Sequence, residues 1–66
     1  MADYRCYCMD GSGKITLAHW VDASDDAEAI SKTEALKGDA PSCEIWLKSR
    51  LVARLSPEGR FERVDL

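Results

Sequence analysis

The feature that most constrains the fold is a glycine-containing turn between two strand-forming segments near the N-terminus. Residues 10–14 read Asp-Gly-Ser-Gly-Lys, and the flanking segments, residues 4–9 and 15–23, are rich in aromatic and β-branched residues. Glycine supplies the positive φ that hairpin turns require. This arrangement predicts an antiparallel β-hairpin at the start of the chain.

Side chains alternate between the two faces of a strand, so the loop length decides which residues share a face. A two-residue loop at Ser12-Gly13 places Arg5 opposite Trp20. The predicted core face then holds Tyr4, Cys6, Cys8, Ile15, Leu17, His19 and Val21. The other face holds Arg5, Tyr7, Met9, Thr16, Ala18 and Trp20.

A capped helix is predicted directly after the first hairpin. Asp25 as N-cap, with Glu28 three residues later, has the spacing of a capping box. Gly38 suits the position after the last helical turn, and Pro41 prevents continuation. The apolar stripe expected to face the sheet consists of Ala27, Ala29, Ile30, Thr33 and Leu36.

A second hairpin is predicted over residues 43–55, with a choice between two loop lengths. A two-residue loop, Lys48-Ser49, would mix arginines into the apolar face. A three-residue loop that also includes Arg50 is favoured because it separates apolar from polar side chains. That loop gives a core face of Cys43, Ile45, Leu47, Leu51, Ala53 and Leu55, and an outer face of Glu44, Trp46, Val52 and Arg54.

These elements predict an α+β protein of ββαββ order, in which a single helix packs on one face of a four-stranded antiparallel sheet. We expect a single domain over residues 1–55 and a C-terminal tail over residues 56–66. Phe61, Val64 and Leu66 allow this tail to form either a short fifth strand or a flap. A chain of 66 residues buries a small core, and association with a partner is a common source of further stability.

Charge and hydropathy argue against several classes of partner. The net charge is −3 and the isoelectric point about 4.9, which oppose a general affinity for nucleic acid or anionic membranes. No apolar run approaches the roughly 18 residues of a membrane span, and residues 1–10 lack the pattern of a signal peptide. We therefore expect a cytoplasmic protein with no nucleic-acid partner and no membrane partner.

The three cysteines and the single histidine are the candidates for metal or thiol chemistry. Cys6 and Cys8 point the same way from one strand, His19 lies opposite Cys6, and Cys43 completes a Cys₃His set for zinc. The C-x-C spacing differs from that of a zinc knuckle, and buried thiols behave as small hydrophobes. We expect structural cysteines, no cofactor and no enzymatic activity. The alternative is a thiol- or zinc-dependent redox or sensor module.

An aromatic outer face is the candidate binding site. Its seven candidate interface residues are Arg5, Tyr7, Met9, Trp20, Trp46, Val52 and Arg54. Clusters of aromatic side chains with arginine are typical of protein interfaces. Two other interpretations stay open, since the tail could cover this face or Arg5 could simply stack on Trp20. We expect a binding or oligomerisation module that forms a homodimer through this face or binds another protein. Trp20 should lie beside Trp46 or beside a second molecule.

Four segments carry a resemblance to known sequences: YRCY at 4–7, DAEAI at 26–30, EIW at 44–46 and RLVARL at 50–55. They resemble segments of short uncharacterised proteobacterial proteins with the same order of hairpin, helix and hairpin. The resemblance covers residues 4–55 and implies a bacterial cytosolic protein without an activity to carry over. The opening hairpin and capped helix are also similar to HicB-type antitoxin domains, although no DNA-binding segment is recognisable in this sequence. That similarity implies a regulatory protein partner.

Overall fold

The structure, a computed structural model, describes residues 2–64. Within that range it contains β1 (Ala2–Met9), β2 (Ile15–Ala23), α1 (Asp26–Leu36), β3 (Ser42–Leu47), β4 (Arg50–Leu55) and β5 (Phe61–Arg63). The strands form one antiparallel sheet in the order β2-β1-β3-β4-β5. The predicted α+β class with a single helix is confirmed, and the described sheet has five strands rather than four. Leu66, which the sequence assigned to the tail, lies outside the described residues.

The first hairpin has the predicted register along most of its length. Arg5 lies opposite Trp20, and Cys8 lies opposite Leu17. The alternation of faces therefore follows the prediction from the start of β1 as far as Cys8. Tyr4, Cys6 and Cys8 are buried on the face that the helix covers.

The turn between β1 and β2 is longer than predicted. The Asp10 N–H donates to the Lys14 carbonyl (2.9 Å), and the Gly13 N–H donates to the Asp10 carbonyl (3.1 Å) with Gly13 at φ 87°. These bonds close a three-residue loop with a glycine in the left-handed region, and a β-bulge follows it. The bulge places Ile15 opposite Met9, where Ile15 is 58% exposed. The predicted place of Ile15 in the core is therefore wrong.

The helix begins and ends as the capping residues predict. The Asp25 side chain accepts a hydrogen bond from the Glu28 N–H (2.8 Å). The Glu28 carboxylate accepts from the Ser24 N–H (2.6 Å), one residue earlier than in a standard capping box. At the other end Lys37 is the C-cap, and Gly38 adopts φ 59°, as expected for a glycine that follows a helix.

The core between helix and sheet is built mainly from small side chains. From α1, Ala29 and Thr33 are buried and Ile30 is half-buried, whereas Ala27 and Leu36 of the predicted stripe are exposed. The larger buried cluster consists of Tyr4, Cys6, Val21, Ala23, Ala29, Ile45, Val52 and Ala53, and the smaller one of Cys8, Cys43 and Leu55. The described part of the chain has no helix with the length and apolarity of a membrane span.

The position of β2 at the edge of the sheet explains two further differences from the predicted core. His19 shares the helix-facing side with Cys6 by register but is exposed, and Leu17 is half-buried. A residue on an edge strand has a neighbouring strand on one side only, so its side chain stays more accessible to water. His19 therefore lies on the predicted face of the sheet, at its margin, but is not part of the core.

The turn between β3 and β4 is shorter than the favoured prediction. Leu47 pairs with Arg50, so the loop consists of Lys48 and Ser49 alone. Lys48 takes φ 56°, a left-handed conformation that suits a two-residue hairpin. The three-residue loop predicted from the separation of apolar and polar residues is therefore wrong.

A second β-bulge restores the predicted register farther along this hairpin. Ile45 pairs with Ala53, as the longer loop required, while Trp46 pairs with Leu51. Val52 is the extra residue between these pairs, and it is 1% exposed in the larger core cluster. The predicted place of Val52 on the outer face is wrong because a bulge interrupts strict alternation. Leu51, predicted in the core, shares the face of Trp46 for the same reason.

The tail forms the fifth strand instead of a flap over the aromatic residues. Phe61 pairs with Leu55 and packs against both buried clusters on the helix-facing side. The turn before it repeats the first one, with the Ser56 N–H bonded to the Arg60 carbonyl (2.7 Å) and Gly59 at φ 87°. The interpretation in which Phe61 covers the tryptophans is therefore wrong.

Candidate functional site

The side of the sheet opposite α1, called the outer face below, carries the candidate interface. Cross-strand pairing arranges its side chains in two central rows. The first row runs Trp20, Arg5, Trp46 and Leu51, and the second runs Ala18, Tyr7, Glu44, Arg54 and Glu62. In the first row two tryptophans flank Arg5. In the second row negative and positive side chains alternate from Glu44 to Glu62.

Arg5 organises the first row. Its guanidinium carbon lies 4.7 Å from the centroid of the Trp20 ring and 5.4 Å from that of Tyr7. Trp46 pairs with Arg5 from the opposite side, on β3. Arg5 therefore lies between the two tryptophans in the cross-strand pairing. The expectation that Trp20 lies beside Trp46 or beside a second molecule stays a prediction. The expected stacking of Arg5 on Trp20 is confirmed, and cation–π contacts of this kind hold both groups in place.

Glu44 orients the second tryptophan. The Trp46 Nε1–H donates to the Glu44 Oε1 at 3.2 Å. Glu44 also pairs across the strands with Tyr7 and with Arg54. A hydrogen bond that satisfies the indole N–H leaves the ring as an oriented apolar surface.

The first row lines a broad groove of about 1070 Å³ on the outer face. The lining residues are Ala2, Asp3, Arg5, Tyr7, Trp20, Trp46, Leu47, Lys48 and Ser49. Asp3, Lys48 and Ser49 were not predicted as site residues. They reach the groove because β1 and the β3–β4 turn lie side by side, a relationship that depends on strand order rather than on local sequence.

Large apolar side chains are exposed around β2. Trp20 is 67% exposed, Ile15 is 58% exposed, and Leu36 on the neighbouring helix is 45% exposed. Trp20 and Leu36 also line a second, smaller groove between β2 and α1. Exposed apolar patches that are rimmed by polar residues are typical of interaction surfaces.

The predicted interface residues are partly brought together. Arg5, Tyr7, Trp20 and Trp46 all line the groove of the first row. Arg54 lies on the outer face two strands from Tyr7, and Met9 lies beyond the groove opposite Ile15. Val52 is not part of the surface, since it is buried under the helix.

The residues of the alternative zinc or thiol site do not converge on a common metal position, although Cys8 and Cys43 pair across β1 and β3. Cys6, Cys8 and Cys43 are fully buried free cysteines, while His19 is exposed. Among residues 2–64 no group of three or more His, Cys, Asp or Glu side chains is arranged to hold a metal ion. Burial raises the pKa of Cys6, so its thiol stays protonated near neutral pH.

A polar cluster around Asp26 was missed in the sequence. Its carboxylate accepts hydrogen bonds from the Tyr4 hydroxyl (2.7 Å) and from Arg63 (3.0 Å), and Arg50 lies 3.4 Å away. The Tyr4 hydrogen bond lowers the pKa of Asp26, while burial and this carboxylate raise the pKa of Tyr4 to about 12. The cluster joins the helix to β1, β4 and β5. Its only signal in the sequence is an acidic residue in the first helical turn.

The chain matches no protein-family model, no curated protein and no solved structure. The resemblances to proteobacterial proteins and to HicB-type antitoxin domains stay predictions, because none of these comparisons tests them.

Proposed function

We propose that this protein is a binding module that associates with a second copy of itself through the outer face of its sheet. The observation that carries the proposal is the row Trp20–Arg5–Trp46, which lies uncovered on the side of the sheet opposite the only described helix. Trp20 is 67% exposed although it is stacked on Arg5. We expect a non-enzymatic, cytoplasmic protein.

Burial of aromatic side chains would supply most of the free energy of association. Covering a large apolar side chain stabilises an assembly by roughly 1.5–3 kcal/mol, and tryptophan, tyrosine and arginine dominate the binding energy of protein interfaces. Trp20, Arg5, Tyr7 and Trp46 supply these residue types within one groove. Their mutual contacts hold the side chains before association, which reduces the entropy lost on binding.

The charge pattern favours a second copy over a partner of uniform charge. Arg5 and Arg54 share the outer face with Glu44 and Glu62, so the face carries both signs. Two copies related by a two-fold axis can therefore oppose arginine to glutamate.

The size of the face allows a small dimer interface. Its strands hold 8, 9, 6, 6 and 3 residues, and at about 3.3 Å per residue and about 4.8 Å between strands they offer roughly 500 Å² per copy. Covering both copies would bury about 1,000 Å², the least that a specific interface is expected to bury. A different protein partner, such as a regulatory one, would need to match the same aromatic row.

Two substitutions on adjacent residues of β2 test this proposal. Trp20→Glu places a charge on the outer face, and His19→Glu places the same side chain on the opposite face of the same strand. In sedimentation velocity we expect the unmodified chain to approach twice 7.3 kDa as its concentration rises. Trp20→Glu should weaken association by at least roughly 30-fold, while His19→Glu should leave it unchanged.

Two results would contradict the proposal. One is an unmodified chain that sediments at 7.3 kDa at every concentration. The other is a dimer that His19→Glu dissociates and Trp20→Glu does not, because the contact would then lie on the helix side of the β2 edge. In that case Leu36→Glu, in the groove between β2 and α1, would dissociate the dimer as well.

A further inference from the structure

Two of the three cysteines face each other across neighbouring strands. Cys8 of β1 pairs directly with Cys43 of β3, and both side chains are fully buried in the smaller core cluster. Cys6 pairs instead with Ile45 and belongs to the larger cluster.

Strand geometry suits a covalent bond for one of the three cysteine pairs. Directly opposed residues in antiparallel strands have Cα atoms about 4.5–5.5 Å apart, within the range of about 4.4–6.8 Å that disulfides require. Cys6 and Cys43 are diagonal neighbours, for which the separation is about 7–8 Å. Cys6 and Cys8 are two residues apart on one strand, at about 6.8 Å, with side chains parallel. Cys8 and Cys43 are therefore the pair that can be bridged with the least movement of the backbone.

We propose that Cys8 and Cys43 form an intramolecular disulfide that links β1 to β3 when the protein meets a small-molecule disulfide oxidant such as glutathione disulfide. One of the two thiolates attacks the oxidant and releases the first glutathione thiol. The other thiolate then attacks the mixed disulfide and releases the second. Two protons and two electrons leave the cysteine pair, the electrons reduce the S–S bond of the oxidant, and Cys6 keeps its thiol.

Burial controls the rate of this reaction. Both thiols are inaccessible in the closed fold, where they are covered by Leu55, Phe61 and Ala40. Burial also raises the pKa of Cys43 to about 12, which disfavours the reactive thiolate. Exchange therefore proceeds through open states, and mild urea below the unfolding midpoint should accelerate it.

The bond would stabilise the fold. It closes a loop over residues 8–43 that contains β2 and α1, so it restricts more than half of the unfolded chain. We expect the ratio of unfolded to folded protein to fall on the order of a hundredfold after oxidation and to recover on reduction with dithiothreitol.

The test compares the unmodified chain with Cys6→Ala, Cys8→Ala and Cys43→Ala. Each is equilibrated with glutathione disulfide, quenched in acid, unfolded and alkylated, and its intact mass is measured. We expect one alkylated cysteine in the unmodified chain and none in Cys6→Ala, each with an internal disulfide. Cys8→Ala and Cys43→Ala should form no internal disulfide.

Peptide mapping of the oxidised, unmodified chain removes any dependence on the folding of the variants. Trypsin should yield residues 6–14 linked to residues 38–48, with fragment ions that assign the bond to Cys8 rather than Cys6. A bond from Cys6, loss of the disulfide in Cys6→Ala, or three alkylated cysteines in the equilibrated unmodified chain would overturn the proposal.

Discussion

The two faces of the same sheet differ in the size of the side chains they carry. On the helix-facing side the largest fully buried side chains are Ile45 and Val52, followed by Thr33 and the three cysteines. On the outer face stand both tryptophans of the chain. Folding of a single copy thus buries mainly small side chains and leaves Trp20, one of the two largest side chains, mostly in water.

The small side chains in the core and the tryptophans on the outer face indicate that burial of apolar area is shared between folding and association. A core in which cysteine, alanine and valine outnumber Tyr4, Ile45 and Leu55 supplies less apolar area per residue than one of leucine and phenylalanine. The outer face holds the apolar area that a second molecule could cover. Substitutions on the helix-facing side should therefore affect unfolding, whereas substitutions on the outer face should affect association.

The largest effect should come from the centre of the core. Ile45→Ala removes a fully buried side chain, and we expect the free energy of unfolding to fall by about 2–5 kcal/mol. Trp46→Ala is the matched control, because the adjacent residue points to the outer face. Urea unfolding at concentrations that favour the monomer should show a loss several times smaller for Trp46→Ala. Equal losses in the free energy of unfolding would contradict the proposal that the helix-facing side governs unfolding and the outer face governs association.

A smaller effect is expected at the polar cluster that ties the helix to the sheet. Asp26→Ala leaves the buried Tyr4 hydroxyl and the arginines without their acceptor, and should lower the free energy of unfolding by about 1–3 kcal/mol. Asp39→Ala, at an exposed position after α1, should change it by less than about 0.5 kcal/mol. Thermal or urea unfolding of the two variants makes the comparison, and similar values would show that the cluster is not stabilising.

The cysteines should act as packing residues in the reduced protein. Cys6→Ala and Cys8→Ala should each lower the free energy of unfolding by about 1–2 kcal/mol and leave the oligomeric state unchanged. Metal analysis of the purified protein accompanies the unfolding measurements. Stoichiometric zinc that is lost in either variant would instead support the zinc-dependent alternative.

The smallest effect is a loss of stability at alkaline pH. The pKa of Tyr4 is raised to about 12 in the folded protein by burial and by Asp26. The contribution of Tyr4 to the free energy of unfolding is complete below pH 10, where the tyrosine of the unfolded chain is also neutral. It is lost as the pH rises towards 12. We expect a decrease on the order of 1 kcal/mol by pH 11, since water around the cluster screens part of the interaction.

Tyr4→Phe is the control for this pH dependence. It removes the titrating hydroxyl, so its free energy of unfolding should fall less steeply between pH 10 and 11. Parallel slopes for Tyr4→Phe and the unmodified chain would assign the alkaline loss to other groups, among them Cys6 and Cys43, whose pKa values are also raised.

Local sequence predicted the elements and most of the facing residues. Alternation correctly placed Arg5, Tyr7, Trp20 and Trp46 on one face, because the alternation of side chains within a strand is a local property. The N-cap at Asp25 was equally predictable, since its hydrogen bond spans three residues.

The bulges, the exposure of His19 and the Asp26 cluster depend on contacts between segments that are far apart in the sequence. The bulges that exposed Ile15 and buried Val52 follow from competition between turn geometry and core packing. The exposure of His19 follows from strand order, which placed β2 at the edge. Asp26 gains Arg63 across 37 residues of sequence, a contact that exists only after β5 joins the sheet.

The most direct test of the central claim is the tryptophan emission of the unmodified chain over a range of concentrations. Both tryptophans of the chain lie on the outer face, so the emission reports on that face. If two copies associate through it, the emission maximum should shift to shorter wavelength over the same concentrations at which the mass doubles. A mass that doubles with unchanged emission, or a monomer with constant emission throughout, would contradict the account.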